Sequence, residues 1–188
     1  PATALAAGAV MDLNENGVPD GEDTNGLADV LIELLDTNGL VVASTYTDSD
    51  GNYSLTGIPP GSYTIRETDP NEYFSTGDQD GASTTNEIAV ALASGQASIG
   101  NYFLDLSYSS ISGLVLLDPD GNGVLDDGEG GGLAGITITL YDAASNVVAT
   151  TLTDAEGFYL FTNLLQGTYT VVETDAPGYL STSDSQGG

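Results

Sequence analysis

At 188 residues the chain has room for one domain or two. Its 28 acidic residues face a single base, Arg66, giving a formal net charge of -27. That balance excludes nucleic acid and anionic lipid as partners, because the Lys/Arg contacts that release counterions are missing, and it favours divalent cations. With no cysteine, histidine or lysine, there is no disulfide, Ser–His, Cys–His or Schiff-base chemistry, and no tryptophan to build a sugar platform beside paired carboxylates, so no enzyme is expected. No apolar run reaches membrane-spanning length and no signal peptide is visible, so no membrane insertion is predicted. A start at Pro1 rather than Met is expected of a processed or excised fragment.

Read from the start, the chain repeats itself without gaps at an offset of 106, with Gly17 on Gly123, Asp36 on Asp142, Gly61 on Gly167 and Glu67-Thr68-Asp69 on Glu173-Thr174-Asp175. Two domains follow, 1–106 and 107–188. Within each the apolar period is two. Val30, Ile32 and Leu34 alternate with polar neighbours, as do Ile136, Ile138 and Leu140 against Thr137, Thr139 and Tyr141. Further strands are predicted over residues 146–153, 157–162 and 168–174, and in the first repeat also over 86–92 and 97–104. Turns such as Asp48-Ser-Asp-Gly51 and Ile58-Pro-Pro-Gly61 separate them. Short strands at this spacing predict an all-β fold of two tandem immunoglobulin-like, prealbumin-like antiparallel β-sandwiches with no substantial helix. Two full periods would need 212 residues, so the second domain lacks its last strands. A longer array, tolerance of the loss, or a strand given by another subunit would each account for it.

The most informative stretch is Asp118-Pro-Asp-Gly-Asn-Gly-Val-Leu-Asp-Asp-Gly-Glu129. Counted as twelve positions, it sets Asp118, Asp120 and Asn122 at one, three and five, Gly123 at six, Val124 at seven, Asp126 at nine and Glu129 at twelve. That is the order of an EF-hand calcium loop, in which alternate side-chain oxygens converge, glycine allows the turn, and position seven offers its carbonyl. The first repeat carries the same order in Asp12, Asn14, Asn16, Gly17, Val18, Asp20 and Asp23. The other reading is a pair of acidic Gly/Asn turns. Asp23 is shorter than Glu129 and less able to bind in bidentate fashion, which makes the first site the weaker or more magnesium-tolerant one. Both flanks read as strands, so the loop lacks the helices of an EF-hand proper.

The order of strand, Asp-rich loop, Gly-Leu-Ala-Gly-Ile-Thr-Ile-Thr-Leu-Tyr-Asp, Thr-Asp-x-x-Gly-x-Tyr, Gly-x-Tyr-Thr and Glu-Thr-Asp resembles the B-type repeats of serine-aspartate surface proteins, the SdrD B-like domains related to collagen-adhesin B domains. The resemblance covers nearly the whole chain, twice. It implies a calcium-rigidified sandwich in the stalk of a bacterial extracellular adhesin or fibre, on the cell surface or as a secreted filament, where millimolar calcium suits weak sites. Its partners would be copies of itself or neighbouring repeats. The resemblance also implies further calcium near Asp36, Asp48 and Asp50, and near Asp142, Asp154 and Glu156, where ordinary Asp turn chemistry is the competing reading. Repeat two departs at Leu165-Gln166-Gly167, where repeat one has Pro59-Pro60-Gly61. Many related domains carry a Lys–Asn isopeptide bond assisted by an acid. Without lysine none can form here, which leaves Glu67 and Glu173 structural.

The rival reading is a ligand-binding adhesin or carbohydrate-binding module. Ten tyrosines could form a recognition surface for a glycan or host ligand, although Tyr53, Tyr63, Tyr159 and Tyr169 alternate as core residues do. Thr137, Thr139, Thr150, Thr151 and Thr153 could form a polar face, and Asn52-Tyr53-Ser54 is a formal glycosylation sequon.

Overall fold

The computed structural model describes residues 3–80, 86–124 and 130–184. The chain divides into two compact units, Pro1–Ser107 and Tyr108–Gly188. All regular structure among the described residues is β-strand.

In unit 1 the period-two alternation sorts side chains onto two facing sheets. One sheet runs in the order β3 (Val41–Tyr46), β2 (Leu31–Leu35), β5 (Gly61–Thr68), β7 (Glu87–Leu92). The other runs β4 (Asn52–Ile58), β1 (Thr3–Met11), β9 (Phe103–Ser107), β6 (Tyr73–Asp78), with the short β8 (Ala97–Ile99) also pairing with β1. Ile32, Leu34, Ile65, Ile88 and Val90 from the first sheet pack against Leu5, Tyr53, Leu55 and Phe103 from the second. This is the layout of a β-sandwich.

Unit 2 repeats the first five strands. β10 (Ser109–Leu114) pairs with β13 (Phe158–Leu164), and β12 (Val147–Leu152), β11 (Thr137–Asp142) and β14 (Tyr169–Thr174) form the second sheet. Its core holds Val115, Ile136, Ile138, Leu140, Phe161 and Leu164. Residues 179–184, which align with β6, form no strand.

One buried threonine per unit fixes the entry to the second strand. Thr47 accepts the Val30 N–H at 2.9 Å and donates to the Leu27 carbonyl at 2.6 Å, and Thr153 does the same with Ile136 and Leu133 at 2.9 and 2.6 Å. The five threonines singled out in the sequence therefore do not share a single face. Thr153 is buried, and Thr150 and Thr151 are chain neighbours, so the pleat sends them to opposite sides of β12.

Candidate metal centre

The loop of each unit leaves the first strand and returns to the second. In unit 1, Asp12 stands at the end of β1 and is fully buried. Its carboxylate accepts the Asn16 N–H at 3.1 Å and the Gly17 N–H at 2.9 Å. Gly17, at φ 66, supplies the left-handed turn that other residues adopt with strain. Asn14 Oδ1 accepts from Asn16 N at 3.2 Å, and Asn16 Oδ1 accepts from Val18 N at 2.7 Å. The Asn14 and Asn16 amides both donate to Asp20 Oδ2 at 3.0 Å. Hydrogen bonds from Glu22 N, then Asn16 and Asn14, hold the Asp20 carboxyl below its usual range. Asp23 closes the loop by accepting from Leu13 N at 3.1 Å and Asp20 N at 2.9 Å.

Unit 2 repeats the contacts at positions three, five and six, while Asp118 Oδ1 accepts from Gly121 N at 2.8 Å where Asp12 Oδ1 accepts from Asn16 N. Asp118 Oδ2 accepts from Gly123 N at 2.9 Å, Asp120 Oδ1 from Asn122 N at 2.9 Å, and Asn122 Oδ1 from Val124 N at 2.6 Å. A hydrogen bond from the Thr182 side chain, followed by that from Gly123, lowers the Asp118 carboxyl. Asp126 and Glu129 lie outside the described residues. Asn14, Asn16 and Asp20 are thus joined through their side chains, whereas Asp12 and Asp23 hold the backbone around them. A cavity of about 280 Å³ opens beside the first loop, with Asp20, Asp23, Val10 and Tyr102 in its wall. The Asp and Asn side chains of the loop order each carry a carboxylate or amide oxygen, the donor that a hard cation takes.

Backbone contact between strands fixes the exit of the loop. A Cβ on Gly26 would lie 2.0 Å from the Asp50 carbonyl oxygen, and one on Gly132 would lie 2.1 Å from that of Glu156. The Thr-Asp-x-x-Gly turn therefore rests directly on the chain leaving the loop.

The remaining candidates are not gathered into one place. Asp36 lies in the β2–β3 turn and Asp48 in the β3–β4 turn, at opposite ends of β3, a separation of about 20 Å for six residues. Asp142 and Asp154 flank β12 in the same way. Each uses its carboxylate on its own turn. Asp36 accepts from Asn38 and Leu40, Asp48 from Asp50 and Asn52, Asp142 from Ala144 and Asn146, and Asp154 from Glu156 and Phe158.

A cluster absent from the sequence-level site predictions lies inside unit 1. One carboxylate oxygen from each of Glu67, Asp69 and Asp105 lies within 4.8 Å of the other two, and Glu67 and Asp105 are buried. The inward register of Ile65 and Glu67 along β5 could have signalled Glu67. Nothing local marks Asp105 as its neighbour from the other sheet.

Taken together, the geometry defines a tandem pair of β-sandwich repeats, each with an acidic loop of EF-hand order between its first two strands. The SdrD B-like domain model matches residues 7–102 and 109–188, and the chain belongs to that family. It is 31% identical over 183 residues to serine-aspartate repeat-containing protein F of Staphylococcus epidermidis, covering 94% of this chain and 11% of that protein. It is 34% identical over 185 residues to serine-aspartate repeat-containing protein D of Staphylococcus aureus strain Newman, covering 94% of this chain and 14% of that protein. The chain thus spans a small part of the length of these relatives. Among solved structures it is similar to the Bacillus anthracis TIE protein, at 23% identity and TM-score 0.47 over 95% of this chain and 30% of that one. It is also similar to a streptococcal ancillary pilin, at 18% identity and TM-score 0.46 over 94% and 54%.

Proposed function

We propose that the chain is a structural repeat of an extracellular bacterial adhesin stalk or fibre, made rigid by calcium held in the loops of residues 12–23 and 118–129. The observation that carries this reading is the hydrogen-bond pattern shared by the two loops. In both, the carboxylate at position one grips the glycine N–H at position six at the same 2.9 Å, with Asn/Asp oxygens at three and five turned onto the backbone in the same order. The ligands would be Asp12, Asn14, Asn16, Asp20, Asp23 and the Val18 carbonyl in unit 1, and Asp118, Asp120, Asn122, Asp126, Glu129 and the Val124 carbonyl in unit 2. Empty, the loops crowd like charges that the chain's single base, bound to Glu33, does not offset. Bound calcium replaces that repulsion with coordination and fixes the entry of the first two strands. At a free concentration 100-fold above the dissociation constant, each ion adds ~2.7 kcal/mol to the native state. Calorimetric titration of calcium into chelator-treated protein, paired with thermal melts, tests the proposal. The expected result is saturable heat and a raised melting temperature. No heat and no gain in thermal resistance would overturn it.

Assembly is the second part of the reading. Among the described residues, unit 2 has no strand beyond β14 or β10, where unit 1 carries β7 on β5 and β9 on β1. An extended segment with the alternation of β7 fits the β14 edge, whether it comes from the same polypeptide, a neighbouring repeat or another copy. Light scattering in calcium separates these sources: a stable monomer excludes obligatory strand exchange between copies. A ligand-binding role has one observation in its favour. Both units expose apolar residues on a sheet-edge strand, Val41, Val42 and Tyr46 on β3 and Val147, Val148 and Leu152 on β12. Saturable binding on a glycan or protein array would support it.

A further inference from the structure

Glu67 and Asp105 lie in the interior of unit 1, on strands of different sheets, β5 and β9. They are 3% and 0% exposed. Both oxygens of each carboxylate are buried and receive no hydrogen bond from any donor among the described residues. Asp69, half-buried just beyond β5, adds a third carboxylate, and one oxygen from each of the three lies within 4.8 Å of the other two. The donors nearby are engaged elsewhere. The Tyr53 hydroxyl donates to the Asn101 carbonyl at 2.7 Å, and the Asn86 side-chain amide takes only Asp69. The chain's only basic side chain, Arg66, is bound to Glu33 at 2.7 Å. Carboxylates shut in a sandwich interior without donor or counter-ion carry a large desolvation cost and repel one another. What the cluster lacks is a positive charge that meets several oxygens at once. Calcium binds oxygen at about 2.3–2.6 Å, so two of its bonds span up to about 5 Å. Three oxygens within 4.8 Å of one another therefore fit around one such ion. Magnesium, with bonds of about 2.0–2.1 Å and a firmly held water shell, suits a closed interior less well.

We propose that Glu67, Asp69 and Asp105 hold one calcium ion between the two sheets of unit 1, at a site separate from the loop of residues 12–23. The second oxygens of Glu67 and Asp105 are free, so each can bind in bidentate fashion. Water completes the shell on the half-exposed side, at Asp69. The ion joins β5 to β9 across the core, and because the site exists only when the sheets have closed, its binding energy is folding energy. The Asp105 carbonyl also accepts the Asp12 N–H at 3.0 Å, so the ion steadies the strand end from which the first loop departs. Unit 2 has no such site. Glu173 aligns with Glu67 but is only half-buried, and Asp105 has no counterpart among its described strands.

The test uses the whole 188-residue chain, unfolded in chelator and refolded at one pH with or without calcium, so that the closed interior is no barrier to entry. Equilibrium dialysis counts the bound ions, and carboxyl-carbon NMR reads each site. The wild type should hold one more ion per chain than Glu67→Gln or Asp105→Asn, and its Glu67 carbon should shift with calcium. The Asp20 and Asp23 carbons report the loop separately and should respond alike in the wild type and both variants. Thermal melts add a readout that a packing role would not move. In chelator, Glu67→Gln removes an uncompensated charge and should match or exceed the wild type, whereas in calcium it should fall below it. Equal ion counts, a Glu67 carbon that ignores calcium while Asp20 and Asp23 respond, or the same loss of stability in both conditions would each overturn the proposal. The second of these would leave loop calcium standing and give the buried pair a proton in place of the ion. A response at Glu67 with none at Asp20 and Asp23 would support the interior site and overturn the loop reading alone.

Discussion

The two units carry nearly the same strand pattern under different cover. In unit 1, β7 extends the β3–β2–β5 sheet, and β9 with β6 extends the β4–β1 sheet. Leu5, Ile65 and Glu67 are then shut away from solvent. Their counterparts at an offset of 106, Ile111, Val171 and Glu173, remain half-exposed in unit 2. The position-one aspartates differ in the same direction, with Asp12 buried and Asp118 only partly so. The first five strands therefore set the topology, and the later strands set how much each inward side chain contributes.

The largest expected effect tests that statement directly. Ile65→Ala deletes methylenes from a closed core and should cost about 2–5 kcal/mol of unit-1 stability, while Val171→Ala should cost less than about 1 kcal/mol. Separate melting transitions, or amide exchange within each unit, would show it. Similar losses in both would mean that the later strands add little to the packing.

Calcium removal should separate the two loops by mechanism. In chelator, Asp12→Ala still strips the Asn16 and Gly17 N–H groups of their buried acceptor, a loss of about 1–3 kcal/mol. Asp118→Ala should change little in chelator, because its Gly121 partner is exposed and its Gly123 partner only partly covered, so water reaches both. In calcium at 100-fold the dissociation constant, each variant should also forfeit the ~2.7 kcal/mol of its own ion. Melts of both variants in calcium and in chelator provide the measurement. Equal shifts of Asp118→Ala in the two conditions would count against the second site.

A feature common to the units should respond equally in both. Thr47→Val and Thr153→Val each leave a strand N–H and a loop carbonyl without the hydroxyl that joined them. About 1–3 kcal/mol is expected in each case. Loss confined to unit 1 would show that this junction depends on the later strands.

The parts of the fold that were legible are those written in adjacent residues. Alternation at Val30, Ile32 and Leu34 gave β2, and the 106-residue offset carried it to β11. The order of oxygens and glycine in residues 12–23 gave the turn of the loop, because Asn/Asp side chains fold back onto N–H groups two residues ahead. Spatial gathering was less legible. Asp36 and Asp48 look close in sequence, yet β3 runs between them and carries their turns to opposite ends. Glu67 and Asp105 look remote, yet the two sheets close over them. A period of two says which face a side chain takes, not which side chain of the other sheet it meets.

The smallest effect lies where position 77 of unit 1 becomes position 183 of unit 2. At Gly77 the backbone of β6 comes so near the first loop that an added Cβ would stand 2.4 Å from the Gly17 carbonyl oxygen. At Ser183 the chain stands farther off, and the Ser183 hydroxyl donates to the Gly123 carbonyl at 2.8 Å. A side chain thus bridges in unit 2 what backbone contact achieves in unit 1. Ser183→Ala loses one exposed hydrogen bond and should cost about 0.5 kcal/mol, read in the unit-2 melt and in faster exchange at the Gly123 amide. The reverse exchange, Gly77→Ser, has to push β6 off the loop and should cost about 1–3 kcal/mol. Equal and small effects in both directions would mean that the strand does not press on the loop in unit 1, and the contrast between the two loops would then reduce to solvent cover alone.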